Sequence, residues 1–380
     1  MNLHVTNDNY GLYPLEIAKR IKESGKRDNN LMVNLSMESK YKDDFITYIP
    51  VSNFSFQKYL EKISSIDKII FHPYIYDGCR FLKVVKKTFP DVKVYWAIWS
   101  YELYSLPPLP RGYFASFSDR YVKKKMGLPE RIKGFKIIGK LILEFCYLTG
   151  IKENYVKKLK QSYRQIHFFC SLLPSDFLYF QKVSSNNRTK HLPFAYLSLE
   201  EIMPGLNNFS STGNKIMIGH SSSPSGNQFE ILVRLHEINP EFSIFLPLAY
   251  GDESYGNIIE KEALKRFSNI DVQRNKLDKE LYYKKLTEVG WLIINVKVQQ
   301  ALGNITALIW MGVKVFLDED TSTYKDFTDW GIIVFSVQQD LNINELSNKL
   351  SSNEVEHNKR LILQKCNEKT VSSYWNEILT

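Results

Sequence analysis

The fold class is decided by residues 215–232, which read KIMIGHSSSPSGNQFEIL. An apolar strand pattern runs to Gly219, a loop of small polar residues follows, and a helical pattern begins near Asn227. Such a turn directs backbone N–H groups, hydroxyls and the positive end of a helix dipole to one point beyond the strand. We interpret Gly219, Ser221, Ser222 and Asn227 as a candidate phosphate-binding loop, although an ordinary capped turn fits the same residues.

Strand and helix patterns alternate on both sides of this stretch. This alternation predicts an α/β fold with parallel sheets, and we place a domain boundary in the polar stretch 207–214, giving domains 1–206 and 215–380. The expected strands are 3–5, 31–35, 45–49, 68–72, 92–99 and 165–171, then 215–219, 242–248, 270–273, 291–296, 313–318 and 332–335. The expected helices are 14–23, 56–63 and 78–88, then 227–238, 256–267, 279–288, 301–311 and 324–330.

Composition excludes several classes of protein. With 44% hydrophobic and 24% charged residues, the chain of 380 residues is neither disordered nor fibrous. The four cysteines form no C-x-x-C pair, which argues against a zinc ribbon or a thioredoxin-like site and favours a reducing compartment. We expect no secretory signal and no membrane-spanning helix, because no basic n-region with an apolar core and no run of about 20 apolar residues is present.

The positive charge is concentrated in residues 111–164. This segment holds 14 Lys and Arg against 4 Asp and Glu, which accounts for the whole net charge of +9. Because basic and apolar residues coincide in it, we predict contact with an anionic membrane surface, and a solvated basic face is the alternative. Nucleic acid is a weaker candidate, since no binding motif accompanies the charge. The lysines assigned to the membrane are Lys123, Lys124, Lys125, Lys136 and Lys140.

A second polar helix start follows the predicted strand 291–296. Gln299, Gln300, Gly303 and Asn304 stand there, and in neighbouring crossover units the two helix starts would face one crevice. Packing residues of an ordinary core helix account for the apolar positions that follow, but not for these polar ones. Tyr250, after the predicted strand 242–248, is a further candidate for contact with phosphate or sugar.

Catalytic candidates lie at the ends of first-half strands. Residues 94–104 read VYWAIWSYELY, in which Trp96 and Trp99 could stack on sugar rings and Glu102 could accept a proton. A core strand rich in aromatic residues is an equal alternative. His72 and Asp8 follow two other strands and would reach the same sheet edge, although such residues are more often structural.

One acidic stretch has the D-x-D form that binds a divalent ion in some sugar transferases. It is Asp318-Glu319-Asp320, and we interpret it as a solvated loop after a strand because any tripeptide with two acids matches. No zinc-protease, nucleophile-elbow, Walker A or G-x-G-x-x-G motif is present in the chain. We therefore expect no metal and no cofactor.

Taken together, these stretches resemble the bacterial 4-acetamido-4,6-dideoxygalactose transferases of glycosyltransferase family 56. A strand-His element of that family resembles the stretch ending at His72, and its Trp-His-Ile-Trp-Gly-Ala-Asp-Leu-Tyr element resembles residues 96–104. Its Gly-Asn-Ser loop resembles 219–221, its Pro-Met-Gly-Tyr element resembles 247–250, and its Gln-Gln-Gly-Ile-Gly-Thr element resembles 299–304. The chain departs from that pattern at Ala97, Glu102 and Asn304, where the family has His, Asp and Thr.

The resemblance implies a GT-B architecture, with two Rossmann-like domains facing across a cleft. It also implies that a nucleotide-sugar donor is held mainly by the C-terminal domain. We expect transfer of a deoxy-amino sugar from a dTDP-sugar, with the two helix starts rather than a metal ion neutralising the leaving group. The acceptor would be a polyprenyl-diphosphate-linked glycan in bacterial surface polysaccharide assembly, contacted by Trp96 and Trp99. Glu102 is then the first candidate for general base, with His72 and Asp8 behind it, if the reaction inverts. The expected location is the cytoplasmic face of the inner membrane.

Two other classes of function stay open at the level of sequence. A sugar-nucleotide epimerase of the same architecture would need no membrane surface and would isomerise the donor without an acceptor. A non-catalytic assembly protein at the membrane would keep the basic segment but bind no nucleotide.

Overall fold

A computed structural model of the chain describes residues 1–8, 12–37, 42–72, 76–104, 113–127 and 161–380. These residues form two compact units, each built on a parallel sheet. Of the described residues, the first unit contains those of 1–104 together with 161–196 and 369–380, and the second contains 113–127 and 197–368.

The first sheet has the strand order β3-β2-β1-β4-β5-β6-β7, and every pair is parallel. Because β4 returns to pair with β1 after β2 and β3 have extended the other edge, the strand order reverses between β1 and β4. Its strands are β1 (Asn2–Thr6), β2 (Asn30–Asn34), β3 (Ile46–Tyr48), β4 (Lys68–His72), β5 (Lys93–Ala97), β6 (Phe168–Ser171) and β7 (Lys190–Pro193).

The second sheet has the order β10-β9-β8-β11-β12-β13, again with every pair parallel. Here the order reverses between β8 and β11. Its strands are β8 (Lys215–Ile218), β9 (Ile244–Pro247), β10 (Ile270–Gln273), β11 (Val289–Ile294), β12 (Lys314–Leu317) and β13 (Phe335–Ser336).

Helices connect these strands, as parallel pairing requires. Most carry one apolar face that packs onto a sheet; in the second unit Ile231, Leu232 and Leu235 of one helix are fully buried. The α-helices of the described residues are α1 (Leu12–Glu23), α2 (Asn53–Leu60), α3 (Tyr76–Thr88), α4 (Tyr101–Tyr104), α5 (Ser116–Lys125), α6 (Pro174–Ser184), α7 (Leu199–Ile202), α8 (Gln228–Ile238), α9 (Glu253–Arg266), α10 (Lys279–Leu286), α11 (Leu302–Trp310), α12 (Ser322–Asp329), α13 (Ile343–Ser347), α14 (Ser352–Cys366) and α15 (Glu368–Leu379).

The last helix belongs to the first unit, whereas the sequence placed it in the domain 215–380. Val371, Trp375 and Ile378 of α15 are buried in the core that includes apolar residues of β2, β4 and β5. The indole of Trp375 stacks on His72 with 6.3 Å between ring centroids. The chain therefore returns to its first unit at its C-terminal end, a long-range packing that periodicity does not reveal.

The segment 113–127 belongs to the second unit, whereas the sequence placed it in the domain 1–206. Phe117 of α5 stacks on Phe229 of α8 with 3.8 Å between ring centroids. The Ala115 N–H donates to Asn227 Oδ1 at 2.7 Å, and Ser118 Oγ lies 3.0 Å from the hydroxyl of Tyr255. Aromatic contacts and buried hydrogen bonds, rather than charge, decide where this segment packs.

Among the described helices, none combines the length and the apolar character that a bilayer crossing needs.

Candidate functional site

The two polar loops that the sequence singled out lie at the point where the second sheet reverses its strand order. Residues 219–227 follow β8, and residues 295–301 follow the neighbouring strand β11. In open parallel sheets, the connections on the two sides of such a point leave in opposite directions and open a crevice at the carboxyl ends of the strands. This is where ligands bind in folds of this kind.

The two loops are joined directly. Ser225 Oγ donates to Gln300 Oε1 at 3.1 Å, and Asn227 Nδ2 donates to the carbonyl of Asn295 at 2.9 Å. In return Asn295 Nδ2 donates to the carbonyl of Asn227 at 3.4 Å. The prediction that two helix starts share one crevice thus has a geometric counterpart in the second unit.

Both helices begin after a residue in the left-handed region. Asn227 precedes α8 with φ of 50°, and Ala301 precedes α11 with φ of 61°. Neither side chain caps its helix, so the first-turn N–H groups have no side-chain partner from the cap position. A Cβ on Gly303, in the first turn of α11, would meet only Ile202 at 3.9 Å, which leaves the backbone there open to close approach.

Several predicted donor-binding residues instead hold the loop in shape. Ser222 Oγ donates to the carbonyl of Tyr250 at 2.7 Å, and Ser221 Oγ accepts from the N–H of Ser223 at 3.3 Å; both serines are buried. Gly219 has φ of +71°, and a Cβ there would lie 2.9 Å from Gln228 Nε2, so only glycine fits. These contacts fix the shape of the loop that carries the predicted donor-binding residues.

Asn227 is also a structural residue. Its side chain is fully buried, its Oδ1 accepts from Ala115, and the two N–H groups of its Nδ2 are shared among the backbone carbonyls of Tyr113, Ser225 and Asn295. The sequence predicted donor contact here because Asn227 stands where the polar loop leads into a predicted helix. In the structure every polar atom of the side chain is used to connect 113–115 with the two loops.

A pocket of about 380 Å³ opens at the same edge of the second sheet. Among the described residues, its lining contains Tyr250 and Asn304, which the sequence predicted, and two lysines but no carboxylate. The hydroxyl of Tyr282 donates to Asn304 Oδ1 at 3.3 Å and orients it. The lining residues are His220, Pro247, Ala249, Tyr250, Gln273, Lys276, Leu277, Lys279, Tyr282 and Asn304.

Sequence reasoning missed most of that lining. His220 stands inside the quoted stretch 215–232, next to Gly219, and could have been found from its place at the end of β8. Burial lowers the pKa of His220 to about 4, so its ring is neutral at physiological pH. Lys276 and Lys279 follow β10, an edge strand, and only the three-dimensional sheet order shows that they face the same pocket.

The catalytic candidates of the first unit lie at the carboxyl edge of its sheet. Asp8 follows β1, His72 ends β4 and Glu102 follows β5. β1, β4 and β5 are neighbours, so the sequence placed these three residues on the correct edge. The N–H of Asp8 donates to Asn34 Oδ1 at 3.0 Å, and Asn34 Nδ2 donates back to the carbonyl of Asp8 at 3.0 Å.

Glu102 is held by one carboxylate oxygen. Its Oε1 accepts from the N–H of Trp99 at 2.8 Å and from Trp96 Nε1 at 3.2 Å. Its Oε2 is inaccessible to solvent and has no hydrogen-bond partner among the described residues. Burial raises the pKa of Glu102 to about 7, against the lowering effect of those hydrogen bonds. Ser100, two residues earlier, has φ of 93°, a strained value of the kind found at functional sites.

His72 is a structural residue rather than a catalytic base. It is fully buried, with Nε2 3.0 Å from His4 Nδ1 and Nδ1 3.0 Å from the hydroxyl of Tyr196. Burial, and to a lesser extent the neighbouring His4, lowers the pKa of His72 well below its usual value. Both ring nitrogens are thus engaged, and a substrate has no free nitrogen to reach.

Comparison with known protein families identifies the chain. The family model described as 4-alpha-L-fucosyltransferase, glycosyl transferase group 56, matches residues 155–368, more than half of the sequence. The chain belongs to this family. It is accordingly a glycosyltransferase, as the resemblance predicted.

Solved structures support the fold of this group 56 glycosyltransferase. HepE from Anabaena, solved in complex with UDP and glucose, has a TM-score of 0.61 at 9% identity, and the match covers 100% of this chain and 98% of that one. WaaG, a glycosyltransferase involved in lipopolysaccharide biosynthesis, has a TM-score of 0.58 at 12% identity, covering 100% and 98%. Sucrose-phosphate synthase from Thermosynechococcus elongatus has a TM-score of 0.63 at 9% identity, with the same coverage. The predicted GT-B fold is thereby confirmed.

The two tryptophans predicted to stack on acceptor sugars differ in this glycosyltransferase. Trp96 is fully buried between Tyr163 and two phenylalanines, so it is a core residue and a sugar cannot reach it. Trp99 is partly exposed, and its ring lies 4.3 Å from the half-exposed ring of Tyr13. Of the pair, Trp99 alone keeps the geometry of a stacking surface.

The predicted membrane lysines also differ from one another. Lys123 is buried and forms an ion pair with Asp119 on the same helix, α5. Lys125 forms an ion pair with Asp252 of the second unit at 2.7 Å. Lys124 is exposed. Lys136 and Lys140 lie outside the described residues.

No group of three or more His, Cys, Asp or Glu residues within the described part of the chain is placed to hold a metal ion. The D-x-D stretch is not the solvated loop that we expected, because Asp318 is fully buried. It pairs with Lys297 and accepts from Gln338 Nε2 at 2.7 Å, and its other oxygen accepts from the Asp320 N–H. These contacts fix the loop after β12.

Proposed function

We propose that this glycosyltransferase moves a deoxy-amino sugar, similar to 4-acetamido-4,6-dideoxygalactose, from a dTDP-sugar to a polyprenyl-diphosphate-linked oligosaccharide. The product would be an intermediate in the assembly of a bacterial surface polysaccharide such as O-antigen or common antigen. The family description, a 4-alpha-L-fucosyltransferase, supports a deoxy sugar as the transferred group. The motifs of residues 219–221, 247–250 and 299–304 support a nucleotide-sugar donor.

One observation carries the placement of the donor. The loops after β8 and β11 are joined at the point of strand reversal, beside a pocket whose described lining contains two lysines and no carboxylate. A diphosphate there would meet the uncapped start of α11 and the positive charges of Lys276 and Lys279. These groups would stabilise the leaving nucleoside diphosphate without a metal ion. The sequence had suggested only uncharged groups as ligands of the diphosphate, and the pocket adds Lys276 and Lys279 to them.

Glu102 is the proposed general base of an inverting transfer. Its pKa of about 7 suits a group that must accept a proton near neutral pH, and Oε2 is the oxygen not used in fixing the side chain. Because Oε2 is inaccessible to solvent, proton transfer to it requires a movement that exposes the atom to the acceptor hydroxyl. Ser100, directly before α4, has a strained φ of 93°. We place the backbone movement that would expose Oε2 at this residue.

A lipid-linked acceptor would bring the enzyme to the inner face of the bacterial inner membrane. The net charge of residues 111–164 supports this location, because each basic residue near an anionic surface contributes roughly 1 kcal/mol of binding. Of the predicted membrane lysines that the structure describes, Lys124 is exposed on α5 and could contact the membrane surface.

The first experiment is a thermal-shift screen of the full chain against a panel of nucleotide sugars, followed by a transfer assay with the donors that bind. We expect dTDP-linked deoxy-amino sugars to raise the melting temperature most, with EDTA having no effect. Binding of no nucleotide, or isomerisation of the donor without acceptor, would contradict the proposal.

A variant then tests the placement of the donor. Gln300→Ala removes a side chain that joins the two loops and should weaken donor binding by roughly tenfold, since an amide bound to an anion contributes on the order of 1.5 kcal/mol. Gln57→Ala, which removes a half-buried glutamine from α2 in the first unit, is the matched control. Equal affinity of the two variants would exclude the loop 295–301 from the donor site.

A further inference from the structure

His220 occupies a position that the proposed function has not yet used. It is the second residue after β8, directly at the reversal of strand order, and its ring lines the pocket together with Tyr250 and Asn304. The ring centroids of His220 and Tyr250 are 6.3 Å apart. A histidine at this point faces any ligand that fills the pocket.

The two ring nitrogens of His220 have different surroundings. Nδ1 is inaccessible to solvent and has no hydrogen-bond partner among the described residues. A neutral imidazole carries one proton, and a buried N–H without a partner is rarer and more costly in proteins than an unpaired acceptor. We therefore assign the proton to Nε2, for which no hydrogen bond to another described residue is present.

The surroundings also keep the ring neutral. Burial lowers the pKa of His220 to about 4, and the part of the chain that the structure describes places no carboxylate in the pocket to stabilise an imidazolium. The other titratable groups of the pocket are Tyr250 and Lys276, with Lys279 and Tyr282 on α10. None of them is an anion that would hold a second proton on the ring.

We propose that His220 binds an oxygen of the donor's diphosphate as a neutral imidazole, donating one hydrogen bond from Nε2. The assignment rests on the proposed donor site and adds to it a residue and its protonation state. The two lysines of the pocket supply positive charge, whereas His220 supplies direction, because an N–H on a fixed ring selects one oxygen position.

Calorimetry with dTDP and UDP on the full chain tests the contact. His220→Ala should weaken nucleotide binding about tenfold, and His220→Phe, which keeps ring packing but has no N–H, should weaken it equally. His220→Asn, which retains a neutral donor, should bind within about threefold of the wild type. His236→Asn, a change at an exposed histidine of α8, is the control for folding and should bind as the wild type does.

The same titrations between pH 5.5 and 8 test the protonation state. The terminal phosphate of the nucleotide titrates near pH 6 and changes the affinity of any protein that binds it. We therefore compare the affinity of the wild type with that of His220→Asn at each pH, because the titration of the ligand affects both proteins equally and cancels in their ratio. A constant ratio, with equal proton uptake by the two proteins, is expected. A ratio that rises towards acidic pH would show that His220 binds as an imidazolium and would overturn the proposed neutral form. Wild-type affinity of His220→Ala and His220→Phe would overturn the proposed hydrogen bond to the diphosphate. If the wild type bound no nucleoside diphosphate, the proposed function would fall first and this assignment with it.

Discussion

The substitution Glu102→Gln should make the protein more stable at alkaline pH and leave it nearly unchanged at pH 4.5. Burial raises the pKa of Glu102 from 4.5 to about 7, because the hydrogen bonds that the charged form accepts do not compensate for the water it has lost. Between these pH values the unfolded chain releases the proton while the folded protein keeps it. Folding is therefore opposed increasingly as the pH rises through this range.

The size of the effect follows from the shift in pKa. Each pKa unit corresponds to about 1.4 kcal/mol, so the wild type should lose about 3 kcal/mol of its free energy of unfolding between pH 4.5 and 8 through this group alone. Glutamine has the same shape, accepts the same two hydrogen bonds through Oε1 and does not titrate. The difference in unfolding free energy between variant and wild type should thus grow by about 3 kcal/mol in favour of the variant.

Urea denaturation at several pH values, followed by fluorescence and circular dichroism, measures this difference. Glu61→Gln, which removes an exposed carboxylate after α2, is the control for the loss of one negative charge. A difference for Glu102→Gln that does not change with pH would show that Glu102 is ionised in the folded protein at neutral pH without cost, and the argument for a tuned base would fail. In the transfer assay the same variant should lower turnover by roughly 10²–10⁴.

Two further predictions concern the second unit and the membrane. Asn227→Ala should lower the unfolding free energy by about 3 kcal/mol, because the hydrogen bonds of a fully buried side chain are lost. Asn227→Gly, which accepts the φ of 50°, separates this loss from backbone strain, and a melting temperature unchanged in both would contradict the role. Replacing Lys124, Lys136 and Lys140 by glutamine should reduce sedimentation with anionic liposomes at least tenfold, with no change on neutral liposomes; equal binding by variant and wild type would remove the membrane proposal.

The parallel sheets could be predicted from the sequence because buried strands leave a local pattern. Runs such as 215–219 and 68–72 are apolar, short and bounded by polar turns, and both are strands in the structure within a residue. β7 (Lys190–Pro193) and α14 were not predicted. In β7 only Leu192 is buried, so it lacks the apolar run that marks a central strand.

The assignment of segments to units could not be predicted, because it depends on contacts between residues far apart in sequence. Charge indicated that 113–127 lies on a membrane surface, yet Phe117 stacks on Phe229 and Lys125 pairs with Asp252. Likewise, nothing local in α15 indicates that Trp375 packs against His72.

Within the candidate site, position was easier to predict than role. Glu102, His72 and Asp8 were correctly placed at one sheet edge, because the carboxyl ends of neighbouring parallel strands meet there. Whether a polar side chain there faces a ligand or the interior depends on its hydrogen bonds. His72 uses both nitrogens within the protein, whereas Glu102 keeps one oxygen unpartnered among the described residues.

A crystal structure of the protein with a bound nucleoside diphosphate, grown in the presence of magnesium, tests the central claim most directly. The diphosphate should lie between the loops 219–227 and 295–304, within hydrogen-bond distance of the start of α11, and should have no metal ion on its oxygens. A nucleotide bound to the sheet edge of the first unit, or one held through magnesium by carboxylates, would contradict the account.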